Sequence, residues 1–167
     1  MRLMDVITTY LYGFMDNDIY IYMKILEGFK LSEANIRKPH NMYSMKLQRS
    51  LYILKQSGRM WYNYLSEYLL KEGYVNNPIC PCIFIKKSET KFAIIEVYVD
   101  DLNLVGTPEE LIRTAKYLKK EFEMKDLGKT KFCLGLQIEY FLNGVLVHQS
   151  TYIKNFLKYF IWIKCIL

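Results

Sequence analysis

Apolar and polar positions repeat with two different periods along this chain, and the changes of period divide it into elements. Residues 4–12 are rich in β-branched and aromatic side chains and stop at Gly13, the pattern of a strand running into a turn. Residues 14–45 mix Asp, Asn, Gly, Lys and Pro with short apolar pairs and read as loops and short strands, with a strand over 19–23. From Trp61 the apolar side chains fall at Trp61, Leu65, Tyr68 and Leu69, the spacing of an amphipathic helix that Gly73 closes. The period then shortens: 83–86, 92–99 and 102–105 are β-rich runs with punctuation between them. Thr107-Pro-Glu-Glu110 predicts a helix start with a capping box, followed by an apolar stripe of Leu111, Ala115, Leu118 and Phe122. Lys116, Lys119 and Lys120 fall on or near its opposite side. Residues 132–140 and 145–148 predict two strands joined around Asn143-Gly144, and 150–160 a last helix. The order strand, loops, helix, strands, helix, hairpin, helix predicts an α+β domain with a largely antiparallel sheet.

The 167 residues suit about one domain, and a chain 51% hydrophobic can bury a core. A formal charge of +6 makes polyanions the first partners to consider, although a solvated surface gives the same number. Apolar stretches are broken by charge too soon for a membrane span, and the first residues lack the apolar region of a signal peptide. Cys80-Pro-Cys82 is too tight for a zinc knuckle, so these two, Cys133 and Cys165 read as buried free thiols in a reducing compartment. The two histidines, His40 and His148, sit in no catalytic pattern.

The chemistry is concentrated in Glu96-Val-Tyr98-Val-Asp100-Asp101-Leu-Asn103-Leu-Val105, where two adjacent carboxylates lie between apolar strand segments. Such a pair repels itself unless a cation compensates, and hard divalent ions such as Mg²⁺ take oxygen ligands. A turn between the two acids is needed to bring both to one ion, because successive strand residues point to opposite faces. A solvated Asp-Asp hairpin tip is the plainer alternative.

Further segments decide between these readings: Asp5-Val-Ile-Thr-Thr-Tyr10-Leu-Tyr-Gly13, Glu27-Gly-Phe29, Leu54-Lys55-Gln56 with Arg59 and Trp61, Tyr98-Val-Asp-Asp101, and Glu121-Phe-Glu-Met-Lys-Asp-Leu-Gly128 followed by Leu134-Gly135. With these motifs in this order, the chain closely resembles the reverse transcriptases of copia-type LTR retrotransposons, over about residues 3–160. The resemblance implies a palm-like fold with helices packed on one face of the sheet. Residues 1–160 would form the palm, with partial fingers at 14–56, no thumb, and a non-family tail at 161–167. It implies an RNA-directed DNA polymerase that transfers a nucleotide from a dNTP to a primer 3′-hydroxyl, in a truncated copy, feeble or inactive alone. The alternative is a catalytically inactive relic that at most binds nucleic acid non-specifically; a nucleotidyl cyclase is disfavoured by the 51–61 motif.

By resemblance Asp5 and Asp100 are the principal ligands of two Mg²⁺ ions, with Mn²⁺ as a substitute, and Asp101 is the third carboxylate. Tyr10 matches the aromatic beneath the incoming sugar, Gln56 the amide beside the nucleotide, and Lys55 and Arg59 its phosphate donors. Tyr98 resembles the residue facing the template–primer, and Leu134-Gly135 the hairpin gripping the primer end. The implied partners are an RNA or DNA template–primer, dNTPs, and the fingers, thumb and ribonuclease H regions of a parent polyprotein. The implied location is intracellular, in a cytoplasmic virus-like particle or the nucleus, with no membrane and no secretion. Ile7, Thr9, Ile53 and Gly58 depart from the family pattern, Ile53 standing where the family usually has Gly.

Overall fold

The computed structural model describes residues 1–15, 20–30, 39 and 42–166, with 161–166 as backbone alone. Four runs pair each with the next along the chain, β4 (Val75–Asn76), β5 (Ile83–Lys87), β6 (Phe92–Tyr98) and β7 (Asp101–Gly106), and β1 (Arg2–Val6) joins them from far away in sequence, pairing with β7. With β8 (Met124–Lys129) they form a six-stranded sheet in the order β4-β5-β6-β7-β1-β8. Every pairing in it is antiparallel. The expected α+β class is therefore observed, with three α-helices among the described residues: α1 (Ser57–Lys71), α2 (Pro108–Glu121) and α3 (Ser150–Ile166).

Alternation along the strands sorts the sheet into two faces. Ala93, Ile95 and Val97 of β6, Leu102 and Leu104 of β7, and Met4 and Val6 of β1 are buried in one cluster. Trp61, Leu65 and Leu69 of α1 and Ala115 and Leu118 of α2 belong to the same cluster, so both helices cover the same face. Four tyrosine hydroxyls join α1 and its C-terminal turn to α2. The Tyr68 and Tyr117 hydroxyls each donate to the other's carbonyl at 2.8 Å, their rings stacked 4.3 Å apart. The Tyr74 hydroxyl shares a hydrogen bond of 2.6 Å with Thr114, and that of Tyr64 donates to Glu121. Phe122, 2% exposed, closes the interface against the rings of Tyr12, Trp61, Tyr64 and Tyr68.

Gly73 ends α1 as expected. At φ 87° it lets its own N–H reach the Leu70 carbonyl and the Tyr74 N–H reach that of Leu69. Other expectations need correction. The strand read over 4–12 stops at Val6, and Thr9–Tyr12 form a 3-10 turn, pinned where the Thr9 hydroxyl donates to the Val6 carbonyl at 3.0 Å. α1 begins before Trp61, at Ser57. α2 starts at Pro108 as read, but the Thr107 hydroxyl makes no capping bond and is buried without a partner. The strand read over 19–23 is β2 (Tyr22–Lys24), paired with β3 (Ser44–Lys46); Ile19 and His40 lie outside the described residues.

The run 132–140 is two strands, β9 (Phe132–Cys133) and β10 (Leu136–Phe141), because Leu134 and Gly135 (φ 49° and 80°) make a two-residue turn between them. β11 (Gly144–His148) pairs with β10 so that Leu142 and Asn143, rather than Asn143-Gly144, are the turn residues. α3 continues without interruption from the expected 150–160 to Ile166. Cys80, Cys82 and Cys133 are free, but the first two are exposed, against the expectation of burial. Among the described residues no helix is long and apolar enough to cross a membrane.

Candidate carboxylate site

The face of the sheet turned away from α1 and α2 carries the candidate chemistry. β1 and β7 pair so that Asp5 stands directly opposite Asp101. Opposed residues of antiparallel strands keep their Cβ atoms about 4.5–5.5 Å apart, so the two carboxylates are neighbours on one face. Tyr98 pairs with Asp101, which leaves Val99 and Asp100 as a two-residue turn. The turn thus falls one residue earlier than a break between the two acids: Asp100 is in it, and Asp101 opens β7. Val99 takes φ 55°, which a first central residue needs in a type II′ hairpin turn. The Asp100 carbonyl accepts from the Val6 N–H at 2.9 Å, joining the turn to the end of β1.

Burial, then the charges of Asp100 and Asp5, raise the Asp101 carboxyl above its ordinary value. Among the described residues no lysine, arginine or histidine forms an ion pair with any of these three acids. Lys125 of β8 stands opposite Asp5 on its other side without forming an ion pair with it. The three carboxylates are oxygen donors of the kind hard divalent cations prefer, so the donor set fits Mg²⁺ in type. The three do not converge on one point, however: no three His, Cys, Asp or Glu side chains among the described residues are grouped to hold a metal ion.

A cleft of about 210 Å³ opens beside Asp101, lined in part by Tyr98, Glu96, Asn103, Cys133, Leu134 and Gly135. It brings together four of the expected site residues, with the Leu134-Gly135 turn facing the strand end that carries Tyr98 and Asp101. Asn103 forms its floor. This buried amide donates to Cys133 Sγ at 2.6 Å and to Glu96 at 3.3 Å, and accepts from the Thr130 hydroxyl at 3.0 Å. The amide therefore fastens the segment leading into β9 to β7. A polar residue between Leu102 and Leu104 was the available sequence signal for it, and the alternation reading passed over it.

The nucleotide-side candidates gather beyond the same, C-terminal end of β1. Tyr10 lies in the 3-10 turn, half-buried, its ring edge-on to Tyr52 at 4.8 Å. That turn is held to the loop before α1 by the Ser50 hydroxyl, which donates to the Tyr10 carbonyl, and by the Ser50 N–H, which reaches the Gly13 carbonyl at 2.8 Å. Gly13 has no room for a side chain, since a Cβ would lie 2.7 Å from Ser50 Oγ and 2.8 Å from Met60 Cβ. Gln56 sits at the N-terminus of α1 without capping it, and Lys55 and Arg59 are exposed on either side. Lys116, Lys119 and Lys120 lie elsewhere. They are exposed on α2, which covers the opposite face of the sheet from Asp5 and Asp101, and Lys119 is paired with Asp126 at 3.4 Å.

Fold and site define an antiparallel α+β domain in which the adjacent strands β1 and β7 set two carboxylates opposite one another beside a cleft, with a third in the adjoining turn. Residues 1–166 match the reverse transcriptase (RNA-dependent DNA polymerase) family. The chain belongs to that family, in the form found in the Pol polyproteins of copia-type retrotransposons. It is 36% identical over 161 residues to the retrovirus-related Pol polyprotein from transposon TNT 1-94 of Nicotiana tabacum, covering 94% of this chain and 12% of the relative. To the corresponding polyprotein from transposon RE1 of Arabidopsis thaliana it is 32% identical over 157 residues, 93% of this chain and 10% of the relative. To the putative transposon Ty5-1 protein of Saccharomyces cerevisiae it is 36% identical over 143 residues, 84% and 44%. The chain thus spans a minor part of each of these relatives. No solved structure matches it.

Proposed function

We propose that this chain is the palm region of an RNA-directed DNA polymerase, using divalent metal to join a dNTP to a primer 3′-hydroxyl. The observation that carries the reading is the register of β1 against β7, which sets Asp5 opposite Asp101 with Asp100 in the adjoining turn. Asp5 and Asp100 would be the principal ligands and Asp101 the third carboxylate, for Mg²⁺ or, in its place, Mn²⁺. Two such ions, when bound, activate the attacking hydroxyl and stabilise the leaving pyrophosphate. The protein's part is to position. The Tyr10 ring packs beneath the incoming sugar, Gln56 meets the nucleotide, and Lys55 and Arg59 donate charge-assisted hydrogen bonds to its phosphates. Tyr98 faces the template–primer across the cleft, and the Leu134-Gly135 turn holds the primer end. Fingers, thumb and ribonuclease H regions of a parent polyprotein complete the grip on the duplex.

A catalytically inactive relic is the second reading, favoured by the absence of a three-donor group among the described residues. The two are separated by placing residues 1–166 in the matching segment of the Nicotiana tabacum polyprotein and measuring primer extension. Extension that Asp100→Asn abolishes is the expected result; a folded chimera without extension, or extension indifferent to Asp100, would sink the polymerase reading. The isolated chain is expected to extend a primer feebly or not at all, because a misplacement of about 1 Å loses about 10²-fold in rate.

A further inference from the structure

The turn that carries Asp100 is held against two forces that would open it. Its first central residue, Val99, is β-branched and sits at φ 55°, a region disfavoured for side chains of that shape and suited to glycine. The carboxylates of Asp5 and Asp101 also stand directly opposite one another across β1 and β7, and like charges so placed repel. One bond against this comes from the sheet, the Val6 N–H to the Asp100 carbonyl. The other comes from a side chain: the Trp61 indole N–H donates to the Val99 carbonyl at 2.7 Å. Trp61 is 2% exposed and set edge-on to Phe122 at 5.2 Å, so its donor is fixed in place. It lies about one turn into α1, whose N-cap is Gln56 and whose first turn carries Arg59.

We propose that Trp61 is a positioning residue, whose N–H clamps the strained Val99–Asp100 turn and thereby ties the carboxylates to the N-terminal part of α1. This rests on the metal-binding reading of Asp5, Asp100 and Asp101 only for its functional consequence; the clamp itself is a statement about the turn. A tryptophan used only for packing would be replaceable by any aromatic ring of similar reach. A clamp requires the N–H.

The test uses the full chain with Trp61→Phe, which keeps an aromatic ring at the site and removes the donor. Benzothienylalanine at position 61, which keeps the whole bicyclic volume without the N–H, serves if the phenylalanine variant does not fold. Hydrogen exchange of residues 98–101 is expected to quicken about three- to tenfold, the worth of one hydrogen bond, while β5 is unchanged. Adding Val99→Gly, which accepts the positive φ without strain, is expected to reverse most of that change. Mn²⁺ affinity, read by electron paramagnetic resonance of the free ion, should weaken by a similar factor and recover in the double variant. Unchanged exchange at 98–101 in the folded donor-less variant, or no recovery with Val99→Gly, would overturn the clamp. If the unsubstituted chain and Asp100→Asn bind Mn²⁺ alike, the metal reading fails, and the exchange data still decide the clamp.

Discussion

Ile53 gives the most direct test of how this sequence is fitted to its backbone. The turn over residues 51–54 is closed by the Leu54 N–H to the Leu51 carbonyl at 3.4 Å, and its third residue, Ile53, lies at φ 81°. A turn with positive φ at that place is the type II pattern, which calls for glycine. The Ile53 side chain is fully exposed, at 100%, so replacing it removes no packing. Left-handed backbone costs an L-residue roughly 1–2 kcal/mol. Glycine, being freer in the unfolded chain, gives back about 0.4–1 kcal/mol of that. Ile53→Gly is therefore expected to stabilise the fold by about 0.5–1 kcal/mol. A chain of this size gains about 2–4 °C in Tm per kcal/mol, so thermal unfolding followed by circular dichroism should show a rise of about 1–4 °C. Ile53→Ala is the control: it keeps the Cβ and should gain less than half as much. A lower Tm for the glycine variant, or equal gains for glycine and alanine, would refute the reasoning, because neither is compatible with relief of backbone strain.

Two further outcomes are expected. Phe122 fills the junction of α1, α2 and the 3-10 turn, and Phe122→Ala should cost about 3–5 kcal/mol in urea unfolding, with Phe122→Leu losing about half as much; a loss below about 1.5 kcal/mol for alanine would show that the aromatic cluster is not a packed hub. The Arg2 guanidinium, which donates to Asp126 from Nε at 2.9 Å and again from Nη2, holds that carboxyl at about 2 against an ordinary 3.8. Because the folded value is depressed, the resulting stability is present above about pH 4 and lost as pH falls through about 2; discounted for the partial exposure of both side chains it is worth about 1 kcal/mol. Asp126→Asn should flatten the acid limb of stability against pH by that amount, and an unchanged limb would contradict the pairing.

The sequence by itself determined the elements whose signals are local. Gly73 ends α1 because only a residue free of Cβ strain takes its φ comfortably, and Pro108 starts α2 because its missing N–H is lost there at no cost. The apolar stripe of α2 and the alternation in β6 and β7 likewise mark the core face. Motif order marked the three acids as a group. What the sequence left open was set by contacts between distant segments. The strand at 4–12 stops at Val6 because β-propensity does not specify where pairing partners end, and β1 has neighbours on both sides only through its pairing with β7 and β8. The meeting of Asp5 with Asp101 is a matter of register, and a slip of one residue would have turned Asp5 to the helix face. The Trp61 N–H reaching Val99, and Asn103 fastening Thr130 and Cys133, join residues about 30–40 positions apart, beyond the reach of any period. Contacts between distant segments also place the charges, setting Lys116, Lys119 and Lys120 of α2 behind the sheet and the three acids, with Lys125 opposite Asp5, in front of it.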